Sequence, residues 1–264
     1  MHSVSPVVAV PRRDRILIVS CVVAVTALAW VELAHLGRQM SESMAHDSMM
    51  ADMGMHMPWT LTDLSVNFVM WTVMMIGMMT GSAVPVLLLF AGATAARGAS
   101  RIAWPVLMFG AGYLAVWTGF SALAVLAQWC LHEATLLSPA MAAASPRLAG
   151  AILIAAGAYQ VTPAKGACLA HCRTPIGFLM GHWRDGLTGA LHMGARHGLY
   201  CLGCCWALMC VLFAVGVMNL LWVAALAVFV LIEKTGPAGL MAGRIGGIAL
   251  LVFGALVAAG VVVI

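Results

Sequence analysis

Residues 198–232 read GLYCLGCCWALMCVLFAVGVMNLLWVAALAVFVLI, an almost uninterrupted apolar stretch. As a single helix it would reach about 52 Å at 1.5 Å per residue, whereas a bilayer core of about 30 Å needs only roughly 20 residues. The chain is therefore predicted to break between Gly216 and Asn219 and to form two membrane spans. Without that break the stretch forms one span.

The whole chain has the same apolar character. Of its 264 residues, 63% are apolar and only 8% are charged, where a soluble domain has about 25% charged residues. So little charge cannot cover a surface in water, which excludes a soluble enzyme. No glycine-rich phosphate loop, nucleophile elbow or His-Glu-x-x-His motif occurs, so there is no case for an ordinary hydrolase. The basic residues are scattered, and we expect no nucleic acid partner.

These apolar runs predict an all-α fold, a polytopic helical membrane protein with about seven transmembrane helices in one integral membrane domain over residues 1–264. The count falls to six if residues 198–232 form one span. The predicted spans are residues 16–34, 64–91, 102–129, 148–162, the two halves of 198–232, and 245–264.

Basic residues give the predicted orientation. With the N-terminus in the cytoplasm, eleven Lys and Arg residues fall inside and two fall outside, in agreement with the positive-inside rule. We expect a multi-pass protein of the bacterial inner (plasma) membrane, with the lipid bilayer as its first partner. Residues 35–60 then form an extracytoplasmic loop rich in Met and His, and residues 163–197 form a cytoplasmic loop that contains Cys and His.

The predicted outer loop carries the first candidate metal site. It holds three His and seven Met residues. Thioether sulfur suits Cu(I), and imidazole suits either copper state. The candidate ligands in this loop are His46, Met53, Met55 and His56. The alternative is a linker whose methionines rest on the membrane surface.

A methionine stripe lies on the second predicted span. Asp63, Asn67, Met70, Met74 and Met78 recur every three or four residues and so share one helix face. This face could be a ladder of soft ligands, with Met74 and Met78 as the candidates. On the stripe alone a packing seam is favoured, since methionine fills irregular gaps. Asp63 favours a function, because ionisable groups near a bilayer are costly.

The third candidate site is a cysteine cluster. His197, Cys201 and Cys204 share one helix face, with Cys205 on its flank, because adjacent residues cannot point equally at one centre. Residues three apart on a helix have Cβ atoms about 5–6 Å apart, beyond the roughly 3.5–4.5 Å of a disulfide, whereas one metal ion can bridge them. Metal binding is therefore favoured over redox work by Cys201 and Cys204, and packing stays open as a third alternative. His171 or Cys172, from the preceding segment, is predicted to fold over as a further ligand.

Five stretches carry a resemblance to a known family. They are MWTVMMIGMM at 70–79, YQVTPAKGACLAHCRTP at 159–175, GHWRDGLTGALHMGARHG at 181–198, HGLYCLGCCWALM at 197–209 and GVMNLLWVAALAVFVLIEK at 216–234. They resemble a bacterial family of unknown function whose members are described as predicted metal-binding integral membrane proteins, and the match extends over most of the chain from the second span onward.

The resemblance implies a polytopic membrane fold and a bound metal, without an established reaction. The positions carried over are Met74, Met75, Met78, Met79, Lys165, Cys168, His171, Cys172, His197, Cys201, Cys204, Cys205, Asn219, Glu233 and Lys234. One departure stands out, because the family usually reads Leu-Pro-Ser where this chain has Thr80, Gly81 and Ser82. The proline kink is missing there, although Gly81 still permits a bend.

The leading functional hypothesis is a copper-handling inner-membrane protein, active in uptake, transfer or sensing. It would bind a copper ion and work with a metallochaperone or another membrane protein. The second hypothesis is a membrane dithiol redox protein, and the third is a structural membrane subunit without metal. Glu233 and Lys234 are interpreted as an interfacial anchor, and Asn219 as a turn residue or an inter-helix hydrogen-bonding group.

Overall fold

The computed structural model describes residues 11–52, 59–99, 101–138 and 141–262. These residues form an all-α structure, as predicted, in which the β pairing is one isolated bridge between Leu137 and Ala143. The helices are α1 Arg12–Asp52, α2 Leu61–Met79, α3 Val84–Ala96, α4 Ala103–Glu133, α5 Pro146–Gln160, α6 Pro163–Arg173, α7 Pro175–His182, α8 Gly186–Cys210, α9 Leu212–Val215, α10 Leu220–Thr235 and α11 Gly239–Ala258. A short 3-10 turn, Gly81–Ala83, joins α2 to α3.

Five helical segments in the described residues are long and apolar enough to cross a membrane, fewer than the seven predicted. They are Arg12–Gln39, Leu61–Met79, Ala103–Glu133, Gly186–Val215 and Gly239–Ala258. The difference has a simple physical reason. The fourth and sixth predicted spans became α5 and α10, which have 15 and 16 residues and so reach only about 22–24 Å at the rise of an α-helix.

Two breaks in the chain define the helices around the centre of the protein. The predicted break between Gly216 and Asn219 is confirmed. Gly216 has φ 97°, a left-handed conformation that glycine adopts without strain, and the Asn219 side chain caps α10 by accepting from Leu221 and Trp222 N–H. The second break separates α2 from α3 at Gly81–Ala83, so the α-helical hydrogen-bond pattern is interrupted directly after the methionine stripe although the proline is missing.

The predicted outer loop differs from the structure over its first part. Residues 35–52 continue α1 as helix to Asp52. This stretch holds Gln, Glu, Ala and Met, which are good helix formers, and the first proline after it is Pro58. The segment at 163–197 also differs from a loop, since it forms α6, α7 and the first half of α8.

Two helix pairs are in close backbone contact through glycines. On α4 and α8, a Cβ at Gly112 would meet the Leu191 carbonyl, and a Cβ at Gly194 would meet the Phe109 carbonyl. On α5 and α11, a Cβ at Gly157 would lie 2.7 Å from the Gly247 carbonyl oxygen. Small residues allow helices to approach closely in this way. The α4–α8 contact holds the cysteine-bearing helix in the core.

Candidate metal-binding site

Helix α8 carries the predicted cysteine cluster into the core. His197, Cys201, Cys204 and Cys205 are all buried, with no more than 3% of each residue exposed. Cys205 differs from the flanking position expected for it. Its Sγ lies 3.7 Å from Cys204 Sγ, and both thiols donate to the Cys201 carbonyl, at 2.7 and 3.1 Å. Adjacent cysteines therefore both reach the cluster by bonding back to the same turn of helix.

The sulfur of Cys201 is the polar centre of this cluster. Lys234 Nζ, from α10, donates to it at 2.9 Å, and the Tyr113 hydroxyl, from α4, lies 3.0 Å away. The same ammonium donates to Ser82 Oγ at 3.2 Å and lies 3.9 Å from Met79 Sδ. An ammonium this close is electrostatically complementary to a thiolate, which is the form of cysteine that binds soft metals.

Helix α6 adds a further thiol. Cys172 is half-buried and packs against the core that contains Cys201 and Cys204. Its proximity to the Cys201 thiol, with burial as a further cause, raises the pKa of the Cys172 thiol. Cys168, one turn earlier, packs against α8 so closely that a Cβ at Gly203 would lie 2.7 Å from its Sγ. Of the two residues predicted to fold over the cluster, Cys172 is the one that packs against the core that contains the thiols.

His171 has a different environment from the one predicted for it. Its ring stacks on Tyr200, with ring centroids 4.0 Å apart and an interplanar angle of 3°. Its Nδ1 lies 2.9 Å from the Ala167 carbonyl oxygen. The residue is therefore at the edge of the cluster and not among the sulfurs.

His197 sits in an aromatic pocket beside the cluster. Its ring centroid lies 5.2–6.1 Å from those of Phe109, Tyr113 and Phe178. Only 3% of the residue is exposed, and its Nδ1 has no hydrogen-bond partner among the residues that the structure describes. A buried polar atom without a partner is uncommon and calls for an explanation. An unprotonated imidazole nitrogen in this state can accept a hydrogen bond or bind a metal ion.

The methionine stripe of α2 is fully inside the protein. Met70, Met74, Met75, Met78 and Met79 are each at most 4% exposed. The member that reaches the cysteine cluster is Met79, whose carbonyl accepts from Tyr113 at 3.1 Å. Met74 and Met78, the two predicted ligands, lie in the hydrophobic core.

Asp63, at the start of the same helix, has a structural role. It is exposed and forms a capping box with Thr60, whose backbone N–H donates to Asp63 Oδ2 at 2.8 Å. The interpretation of Asp63 as a sign of function is therefore corrected, since the capping box accounts for a carboxylate at this helix start.

Glu233 and Lys234 are not an interfacial anchor, because both are buried, at 2% and 6% exposure. Lys234 points at Cys201, as described above. Glu233 forms an ion pair with Lys165, whose Nζ lies 2.7 Å from Oε1, and it also accepts from Gln160 Nε2 at 2.7 Å. Arg173 donates to the Glu233 carbonyl. A cavity of about 250 Å³ adjoins this pair and is lined by Gln160, Lys165, Glu233 and Arg244 among others.

The candidate ligands of the first loop are only partly within the structure. His46 lies on α1, while Met53, Met55 and His56 lie outside the described residues. Within the described part of the chain, no three His, Cys, Asp or Glu side chains are placed to share one metal ion. All eight cysteines are free. The thiols bond to carbonyls, to each other and to Lys234, so a metal ion would have to replace those hydrogen bonds.

Tyr113 was missed by the sequence reasoning, and Lys234 was assigned another role. Tyr113 is 88 residues from Cys201 in the chain, and no local pattern connects them. The Glu233–Lys234 pair did carry a signal, because two adjacent charges end an otherwise apolar helix. Two such charges are as consistent with buried side chains that have charged or polar partners as with an anchor at the membrane interface.

Comparison with known families assigns this helical protein to a class of copper-handling proteins. The family model for PpoB2, described as a copper chaperone, matches residues 68–257. The chain therefore belongs to the PpoB2 copper chaperone family. The match includes α4 to α10, and hence every residue of the cysteine cluster, and excludes α1 and the Met/His segment. Comparisons with curated proteins and with solved structures returned no match.

The family match confirms the metal-related part of the resemblance seen in the sequence and agrees with copper handling as the leading hypothesis. It replaces a family of unknown function by one described as a copper chaperone. The family description says nothing of a membrane, so the membrane setting remains an inference from the apolar helices.

Proposed function

We propose that this chain is a membrane-embedded copper chaperone that holds Cu(I) on the buried thiols of Cys172, Cys201 and Cys204. The observation that carries the proposal is the environment of the Cys201 sulfur. It lies in an apolar core, 2.9 Å from the Lys234 ammonium, with the Cys204 thiol one turn further along α8 and Cys172 packed against the same core from α6. Membership of a copper chaperone family supports the choice of copper.

Ligand chemistry supports the monovalent ion. Thiolates and thioethers are soft ligands that select Cu(I), and Met79 is the thioether at the edge of the cluster. Cu(I) accepts coordination by as few as a pair of sulfur ligands, so a site with few carboxylates and imidazoles suits it. The unpartnered Nδ1 of His197 lies one helical turn before Cys201 and is available as a further ligand.

The geometry disfavours a redox function for Cys201 and Cys204. Their Cβ atoms, three residues apart on one helix, are about 5–6 Å apart and too far for a disulfide without helix distortion. Each thiol is also engaged separately, Cys201 Sγ with Lys234 and Tyr113, and Cys204 Sγ with a backbone carbonyl. A metal ion could bridge these thiols only after their side chains turn from the present hydrogen-bond partners toward one centre, which needs no such close approach of the sulfurs as a disulfide does.

The membrane setting completes the proposal. Five helical segments have the length and apolarity of membrane spans. The bias of the basic residues, which counts the shorter helices α5 and α10 as two further crossings, places the N-terminus in the cytoplasm. In this arrangement, in a bacterial inner membrane, residues 35–60 collect copper on the outer side with the ligands His46, Met53, Met55 and His56. A second protein then donates or receives the ion.

Metal analysis of the purified full-length protein tests the site. Cys201→Ser and Cys204→Ser should each abolish tight Cu(I) binding, because each removes a ligand that the serine hydroxyl replaces poorly. Cys210→Ser, on the same helix, and Cys21→Ser, on α1, are matched controls and should retain it. Equal losses in all four variants, or losses in none, would refute the proposal. A copper-free wild type with a reversible disulfide would favour the redox alternative.

A synthetic peptide of residues 38–58 tests the outer segment. We expect it to bind Cu(I) in preference to Zn(II), because thioethers prefer the softer ion. Unchanged Cu(I) affinity after every methionine is replaced by leucine would show that the methionines are not ligands.

A further inference from the structure

Two histidines lie between the cysteine cluster and the protein surface, next to Tyr200. His171, on α6, stacks on the Tyr200 ring at 4.0 Å. His182 ends α7, and its ring centroid lies 6.4 Å from that of Tyr200 and 5.3 Å from that of Phe178. Both histidines are partly exposed. Neither was needed for the cysteine site, and His182 was not among the predicted ligands.

The two imidazoles share one hydrogen-bonding pattern. His171 Nδ1 lies 2.9 Å from the Ala167 carbonyl oxygen, and His182 Nδ1 lies 3.1 Å from the Phe178 carbonyl oxygen. A carbonyl only accepts, so Nδ1 carries the proton in both rings and the neutral ring keeps its lone pair on Nε2. The Nε2 atoms have no hydrogen-bond partner within the described residues. Metal-binding histidines typically have one nitrogen fixed in this way while the other binds the metal.

The position of this pair connects the surface with the thiols. His171 directly precedes Cys172, which packs against the core that contains Cys201 and Cys204. The ring centroid of Phe178 lies 5.3 Å from that of His182 and 5.2 Å from that of His197. The packing of α6 on α8 therefore places a partly exposed imidazole beside the half-buried thiol that borders the core.

We propose that His171 and His182 form an exchange station through which Cu(I) passes between an external copper donor or acceptor and Cys172. This inference rests on the proposed function. The step is a ligand exchange in which a Cu(I)–nitrogen bond breaks as a Cu(I)–sulfur bond to Cys172 forms. The thiol proton of Cys172 passes to water, and copper stays monovalent, so no oxidant or reductant is required.

Copper transfer kinetics test the station in the full-length, detergent-solubilised protein. The probe is a Cu(I) complex of a coloured bidentate chelator, and both the final stoichiometry and the rate of transfer are measured. The His171→Gln/His182→Gln double variant should keep the wild-type stoichiometry but take up copper about tenfold more slowly or worse, as expected when ligands on the path are lost. His192→Gln removes an exposed histidine of α8 and should change neither quantity.

A second measurement separates a ligand role from a structural one. Imidazole added to the buffer should restore most of the lost rate in the double variant and leave the wild-type rate unchanged. A wild-type rate in the double variant would overturn the inference alone. A loss of stoichiometry would also overturn it, because the histidines would then belong to the central site or to the fold. No uptake by the wild type would overturn the proposed function together with this inference.

Discussion

The Glu233→Gln substitution tests the ion pair that holds the end of α10. Glu233 accepts from Lys165 Nζ at 2.7 and 2.8 Å and from Gln160 Nε2 at 2.7 Å. Glu233 and Lys165 are each only 2% exposed. Glutamine keeps the shape of the side chain but removes its charge. The Lys165 ammonium would then be buried without a counter-charge.

The expected cost follows from that uncompensated charge. Removing one partner of a buried ion pair costs about 3–5 kcal/mol, more than the pair contributes relative to an apolar replacement. At roughly 2–4 °C of melting temperature per kcal/mol for a chain of this size, the variant should melt on the order of 10 °C below the wild type. The substitution should also weaken copper retention, because Lys234, the next residue, loses its fixed position beside Cys201.

Thermal unfolding of the wild type and four variants in one detergent provides the assay. Glu233→Gln is compared with Lys165→Met, with the double variant and with Glu133→Gln, which changes an exposed carboxylate at the end of α4. The double variant should be closer to the wild type than Glu233→Gln is, because it contains no unpaired ammonium. The reasoning is refuted if Glu233→Gln has the same melting temperature as the Glu133→Gln control. It is also refuted if the double variant has the lowest melting temperature.

Two further predictions concern the packing and the topology. Gly194→Ala should prevent folding or lower the melting temperature strongly, because the added Cβ would meet the Phe109 carbonyl. The control Gly119→Ala should be tolerated, because its Cβ would have no neighbouring atom within 4 Å. Equal melting temperatures for the two variants would contradict the close α4–α8 contact. Reporter fusions after Pro58 and after Arg173 should report opposite sides of the membrane, because the orientation derived from the basic residues requires the short helix α5 to cross as well. The same side for both would contradict that orientation.

Local features of the structure could be predicted from the sequence. The all-α class follows from long apolar runs, and the break at Gly216–Asn219 follows from the length of one such run and its glycine and asparagine. The placing of His197, Cys201 and Cys204 on one helix follows from spacing alone. These features depend on residues that are close in sequence, and the helical repeat allows their positions on a helix to be predicted from their spacing.

The number of spans was harder to predict, because apolar composition does not distinguish a short helix packed inside a protein from a full membrane crossing. Helices α5 and α10 have apolar sequences but only 15 and 16 residues. The helical continuation of α1 was missed for a related reason, since polarity at residues 35–52 suggested a loop although the residues favour helix.

The chemistry of the site was decided by tertiary structure. The sequence determined that Cys201, Cys204 and Cys205 would lie together, because they are on one helix. Their partners come from elsewhere in the chain, with Tyr113 88 residues away and Lys234 33 residues away. Only the packing of α4, α6 and α10 on α8 brings a phenol, a further thiol and an ammonium to one sulfur. Such contacts depend on which helix faces meet, and the pattern within any single helix does not contain that information.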